Sequence, residues 1–103
     1  MKSQESVSAI KMKNNCNSVA TILKAISHPR RLMLLCHLVD GEKTVGELET
    51  LCGGSQSVIS QFLKLMKLED MLTSEKRGLF VYYRIHDPKL KKLVFSLYKI
   101  FCS

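Results

Sequence analysis

The strongest constraint on this chain is its punctuation. Pro29, Gly41, Gly53-Gly54, Gly78 and Pro88 cut apolar patterns of helical period into short pieces, and only between residues 72 and 85 does the period fall to two. Val19, Ile22, Leu23 and Ile26 recur at i, i+3, i+4 and i+7, marking a first helix that starts at Val7 or Asn17 and ends near Ser27. Residues 1–6 lack this period and are expected to form an irregular end. Proline suits the first position of the next helix, where its missing N–H has no intrahelical partner. Leu32, Leu35, Cys36 and Val39 form the second stripe, closed by Asp40-Gly41-Glu42, so Cys36 is expected to face inward. Val45, Leu48 and Cys52 line a short third helix ended by Gly53-Gly54, and Ser55 can cap a fourth. There Ile59, Phe62, Leu63 and Met66 make one face, and Ser57, Ser60, Gln61 and Lys64 another. Leu72-Thr73-Ser74 and the run from Phe80 to Ile85 read as hairpin strands around Gly78, with Glu75-Lys76-Arg77-Gly78 as the tip. Asp87-Pro88 opens a last helix. Its Leu90, Leu93, Val94, Leu97, Ile100 and Phe101 make a wide apolar surface that calls for a second copy of the chain.

At 103 residues, 46% apolar and 24% charged, the chain suits one globular domain spanning 1–103. No apolar run exceeds five residues, Leu32 to Cys36 being one, against the roughly 18 needed to span a bilayer. No apolar stretch follows the charged N-terminus, so neither a membrane-spanning nor a secreted protein is expected. Sixteen Lys and Arg against nine Asp and Glu leave a charge of +7, which favours a polyanionic partner, nucleic acid before an anionic membrane surface. Residues 51–68 hold Lys64 and Lys67 and no carboxylate. The four cysteines, Cys16, Cys36, Cys52 and Cys102, are too few and too scattered for a disulfide scaffold and point to a reducing cytoplasm. They are packing residues, metal ligands or redox-active thiols.

A short helix, a glycine turn, a helix with a polar outer face and then a basic hairpin follow the order of a winged helix-turn-helix. The fold expected is mainly α with one β-hairpin, five helices with the hairpin before the last, whose fourth helix enters the major groove. Gln56 and Gln61 offer paired donors and acceptors to adenine, and Ser55, Ser57 and Ser60 can bond base edges or phosphate. Lys64 and Lys67 would neutralise the backbone, while Lys76 and Arg77 would reach phosphate or the minor groove. The competing view is a helical hairpin whose polar face is merely solvated. An enzyme is not expected: the chain has no nucleophile elbow, no phosphate-binding glycine loop and no histidine placed to activate a thiol. No cofactor is implied.

Ser27-His28-Pro29-Arg30-Arg31-Leu32, Thr44-Val45-Gly46-Glu47-Leu48, the run from Ser55 to Met66 and Arg77-Gly78-Leu79-Phe80-Val81-Tyr82-Tyr83 together resemble an ArsR-type repressor over about residues 17 to 102. The resemblance implies a cytoplasmic homodimer, paired through its first and last helices, that binds an inverted-repeat operator in double-stranded DNA and leaves it when an inducer is sensed. Phe62 stands where many relatives have histidine, and its spacing makes it a core residue. Neither metal site of that family is kept. Thr44-Val45-Gly46-Glu47-Leu48 replaces the Cys-x-Cys-Asp-Leu of arsenic sensors, and of the last-helix zinc ligands only Asp87 remains, with Lys89, Ile100 and Ser103 in the other places. His28, His37 and His86 are unpaired at helical spacing and are expected at the surface or at caps. What remains, Cys36 in the second helix and Cys102 at the end of the last, resembles the family's dithiol branch. That branch includes a biofilm repressor, a sulfide sensor and a haemolysin activator, in which this pair reacts with persulfides or oxidants. An arsenic or metal sensor using Cys16 and Cys52 is the alternative.

Overall fold

The computed structural model describes residues 2–102 of the chain; Met1 and Ser103 lie outside the described residues. The first helix, α1 (Lys2–Ile26), is longer than its apolar period suggested and takes in residues 2–6, where an irregular end was expected. Nothing in residues 2–26 breaks a helix, since neither glycine nor proline occurs there. Among the described residues, α1 meets the core near its C-terminal end, through Ile22, Ala25 and the buried Ile26. The protein is accordingly elongated, 59 × 29 × 20 Å.

The helix α2 (Pro29–Leu38) starts on His28, whose Nδ1 accepts the Arg30 N–H at 3.1 Å, so this histidine is a cap as expected. The buried face of α2 is Leu34, Leu35 and Leu38. Leu32, Cys36 and Val39, assigned to the inward stripe from sequence, are only half-buried. The turn after α2 leads into a strand the sequence did not reveal, β1 (Lys43–Thr44), two residues too short to show a period. Thr44 also caps α3 (Val45–Cys52). Its Oγ1 accepts the Glu47 N–H at 3.1 Å while a Glu47 carboxylate oxygen accepts the Thr44 N–H at 3.0 Å, a reciprocal box that satisfies two otherwise orphaned donors. These bonds to Thr44 hold the Glu47 carboxyl below its ordinary range.

Beyond Gly53-Gly54 comes α4 (Gln56–Leu68), capped by Ser55. Asp70, at φ 60°, takes the left-handed turn that short polar side chains tolerate and leads the chain into β2 (Leu72–Arg77). The hairpin partner is β3 (Phe80–Ile85), antiparallel, with Leu72 opposite Ile85 and Arg77 opposite Phe80. Strand β1 lies on the other edge of β3, pairing Lys43 with Tyr83 and Thr44 with Tyr82, so the sheet has three strands in the order β1-β3-β2. The tip is the two-residue turn Gly78-Leu79, because Glu75, Lys76 and Arg77 belong to the strand. Last comes α5 (Pro88–Cys102), buried at Leu90 and Val94.

The core gathers α2, α3, α4, the sheet and α5 around Leu34, Leu35, Leu38, Leu48, Ile59, Leu63, Met66 and Val94, all essentially without solvent contact. Phe62 is not among them. It is half-buried, with its ring 5.0 Å from that of His28. Truncating a residue such as Leu35 removes its transfer free energy and leaves a cavity. Leu35→Ala is expected to lower unfolding free energy by about 2 to 5 kcal/mol, read from urea denaturation, and a loss below about 1 kcal/mol would show that the core closes around the gap.

Candidate functional site

The turn between α3 and α4 consists of two glycines in left-handed conformations, Gly53 at φ 72° and Gly54 at φ 90°. At φ 90° Gly54 needs glycine for its backbone conformation, and a Cβ there would lie 2.7 Å from a guanidinium nitrogen of Arg30, whose exposed side chain would have to shift. The turn delivers Ser55 as the cap of α4. The Ser55 hydroxyl accepts the Val58 N–H at 3.3 Å and lies 3.3 Å from the Ser57 hydroxyl. Ile59, Leu63 and Met66 are pulled into the core, and that fixes the rotation of α4. The opposite side presents Gln56, Ser57, Gln61 and Lys64 to solvent, with Ser60 half-buried at its edge.

The hairpin stands beside this face and is tied to it, because the Lys67 ammonium donates to the Ser74 hydroxyl at 2.7 Å. Lys76 is exposed on the outer half of β2. Arg77 is committed within the fold. It pairs with Glu42 in the loop before β1, lies 3.8 Å from a Glu75 carboxylate oxygen, and places its guanidinium carbon 4.1 Å from the Tyr82 ring centre. Glu42 and Tyr82 had no signal in the sequence, since both partners meet Arg77 only after the sheet has formed.

The second group of interest lies where α2 packs on α5. Cys36 is half-buried on α2 and Cys102 is exposed as the last residue of α5; all four cysteines are free thiols. Burial pushes the Cys36 thiol up, and the neighbouring Cys102 raises it further, because a thiolate already there repels a second negative charge. Cys36 opens onto a cavity of about 360 Å³ whose wall includes His37, Asp40, Lys43, Phe95 and Tyr98. Asp40 holds the Lys43 ammonium at 2.9 Å, and that bond lowers the Asp40 carboxyl. His37, expected at the surface, is thus half-buried beside the Cys36 cavity, whereas His86 is exposed.

Cys16 and Cys52 line different cavities. Cys16 is exposed in a shallow apolar depression along α1. Cys52 is half-buried with Arg30, Met33 and Phe62, and burial raises its thiol against the opposing pull of Arg30. Among the described residues, no group of three or more His, Cys, Asp or Glu side chains is gathered to hold a metal ion. No described helix is long and apolar enough to cross a membrane.

The two causes of the Cys36 shift can be separated by alkylation. Only the thiolate reacts, so labelling of Cys36 by iodoacetamide should stay slow at neutral pH and rise above the ordinary thiol range, with exposed Cys102 labelled first. In Cys102→Ser one of the two causes is gone, and the Cys36 rate profile should move to lower pH. An unchanged profile by mass spectrometry would mean that the two sulfurs do not sense each other.

Comparison with known proteins agrees with this geometry. Residues 28–74, from the cap of α2 to the middle of β2, match the family model described as bacterial regulatory protein, arsR family. Over 92 residues the chain is 41% identical to the biofilm growth-associated repressor of Xylella fastidiosa, covering 89% of this chain and 81% of that one. It is 32% identical to the transcriptional activator HlyU of Vibrio cholerae, covering 89% and 85% of the two chains. Among solved structures, the transcriptional repressor BigR from Xylella fastidiosa superposes with a TM-score of 0.83 at 40% identity, over 92% of this chain and 97% of that one. Identity of this extent over most of both chains, on a shared architecture, means that the chain belongs to the ArsR family of winged helix-turn-helix transcriptional regulators, DNA-binding proteins and not enzymes.

Proposed function

We propose that residues 1–103 act as one winged helix-turn-helix unit that binds operator DNA as a homodimer, and that the dimer leaves DNA when Cys36 and Cys102 of one protomer become linked through sulfur. The observation that carries this reading is the packing of α2 on α5, which sets half-buried Cys36 in a cavity walled by Phe95 and Tyr98 of the helix that Cys102 ends. One covalent link there ties a helix that supports the DNA-reading face to a helix of the dimer surface. A dimer is supported by apolar residues that the single chain leaves in solvent. Val19 and Leu23 on α1 are each 47% exposed, and Ile100 and Phe101 on α5 are 70% and 77% exposed. A reducing cytoplasm, where resting thiols stay reduced, is the compartment this chemistry calls for.

In this reading α4 lies in the major groove. Gln56 and Gln61 read base edges, Ser57 and Ser60 bond base or phosphate, and Lys64 and Lys76 neutralise the backbone, while Ser55 and Arg77 shape the helix start and the hairpin. The exposed Cys102 is the entry thiol for a persulfide inducer. Its thiolate attacks the outer sulfur of an organic persulfide, the donor's S–S bond breaks, and the donor leaves as a thiolate. Cys36 as thiolate then attacks Cys102 Sγ and expels sulfide, giving a disulfide. Where both thiols have become persulfides, the outer sulfur of one attacks Sγ of the other, expels sulfide and leaves a three-sulfur bridge. A directly bonded disulfide needs Cα atoms about 4.4 to 6.8 Å apart, and a longer gap favours the longer bridge. A metal or arsenic site built on Cys16 and Cys52 is the weaker reading, since the two thiols line separate cavities.

Two measurements test the halves of the proposal. Gln61→Ala should weaken operator binding by about 1 to 3 kcal/mol with little effect on random duplex, while Lys64→Ala should weaken both and flatten the salt dependence. Discrimination by Gln61→Ala equal to that of the unmodified protein would take α4 out of base reading. Treatment with an organic persulfide should link the Cys36 and Cys102 peptides in the mass spectrum and release DNA, with dithiothreitol restoring binding. Cys36→Ser and Cys102→Ser should stay bound. If they still release while Cys16→Ser or Cys52→Ser does not, the sensing thiols have been misplaced.

A further inference from the structure

A cavity bordered by α2, α3 and α4 lies beside the glycine turn, and neither the DNA-reading face nor the Cys36 and Cys102 pair uses it. Its volume is about 210 Å³. Met33, Leu34, Ile59 and Phe62 make most of its wall, with the half-buried thiol of Cys52 at the end of α3. The Phe62 ring packs against that of His28, 5.0 Å between centres. A cavity of about 150 Å³ walled by aliphatic and aromatic side chains is enough to hold a benzene ring.

One charge belongs to this cavity. Arg30 lines it, and among the described residues no carboxylate does. The two arginines that open α2 differ here. Arg31 pairs with Glu69 at 2.9 Å and donates to the Ala25 carbonyl at 3.2 Å, whereas Arg30 forms no ion pair among the described residues. The Arg30 guanidinium lies instead beside Gly54, close enough to Cys52 to pull that thiol down against the effect of burial. An inorganic anion would set its hydration water against apolar walls, and a neutral hydrocarbon would leave the guanidinium unused. A carboxylate on a small apolar body satisfies both, because carboxylate and guanidinium match as two parallel hydrogen bonds.

We propose that this cavity is a second effector site, for a small apolar monocarboxylate whose ring or chain lies against Phe62 and Ile59 and whose carboxylate pairs with Arg30. Arg30 also fills the space beside Gly54. A ligand that draws the guanidinium toward the cavity withdraws it from the turn that starts α4, so occupancy lowers operator affinity. This last step rests on the reading of α4 as the DNA-reading helix; the binding step does not. Coupling between two sites is reciprocal, so operator DNA weakens the carboxylate by the same factor.

The test uses the full chain with its thiols reduced, benzoate as the probe, and N-ethylmaleimide labelling of Cys52 read by peptide mass spectrometry. Inorganic phosphate and benzyl alcohol carry the charge and the ring separately, all at one ionic strength set with chloride. Benzoate should slow Cys52 labelling saturably and leave exposed Cys16 and Cys102 unaffected, while phosphate and benzyl alcohol should need about tenfold higher concentration. Arg30→Gln should bring benzoate down to the level of benzyl alcohol. Rates are compared with and without probe within each protein, because Arg30 itself shifts the Cys52 thiol. The Arg30 side chain is exposed, so the variant is expected to melt like the parent. No protection by benzoate, equal protection by phosphate or benzyl alcohol, or benzoate protection unchanged in Arg30→Gln overturns the site. In a second arm, saturating benzoate should weaken binding to an operator selected from random duplexes about fivefold or more. Gln61→Ala run in parallel keeps the two readings apart. If it loses discrimination while benzoate protects Cys52 without changing operator affinity, the effector role fails and the α4 reading stands. If Gln61→Ala discriminates like the parent, the α4 reading fails, and Cys52 protection still decides the binding site.

Discussion

Everything in this fold leans on the buried face of α2. Leu34, Leu35 and Leu38 put this ten-residue helix in contact with α1, α3, β3 and α5 at once. Interiors are close-packed, so a helix held on four sides cannot shift against one neighbour without disturbing the others. The DNA-reading side hangs on it through α3 and the glycine turn, where Arg30 of α2 fills the space beside Gly54. Cys36 sits on the other side, facing α5. The same helix thus borders both the candidate reading face and the candidate sensing pair, and that is the physical requirement for one to influence the other.

The helices and the hairpin were legible because each is written in local signals: an apolar period, a Pro or Gly boundary, a capping side chain. Gly53-Gly54 and Ser55 announced the start of α4, and Ile59, Leu63 and Met66 its inward face. What local signals cannot carry is pairing at a distance. Strand β1 has only two residues and exists because β3 offers it an edge, so nothing in Lys43-Thr44 alone could disclose it. The same holds for Arg77. As a residue beside a glycine turn it looks like a free cation at a tip; in the folded chain Glu42, thirty-five positions earlier, and Tyr82 claim it. Residues 2–6 erred in the other direction, since the absence of an apolar stripe does not say that a helix is missing.

The cysteines show the same division. Spacing along the chain could single out Cys36 and Cys102 only through family resemblance, whereas in the fold their nearness follows from α2 packing on α5 and registers in the raised pKa of Cys36. A thiol pushed up by burial and by a neighbour is a poor first nucleophile at neutral pH. Of the two thiols, Cys102 is the more open to solvent.

The protein's charge fits the same economy of parts. A net +7 draws the chain to any duplex, and attraction of that kind is blind to sequence. Discrimination needs groups fixed in place. Burial of Ile59, Leu63 and Met66 fixes the outer face of α4, and ties from Lys67 to Ser74 and from Arg77 to Glu42 fix the hairpin relative to it. Lys67 and Arg77 remain exposed while they make these ties, so each offers a charge held in a fixed position. The result is a face of better-defined shape. Affinity that rests on alignment falls when such parts are displaced, whereas affinity that rests on charge alone persists.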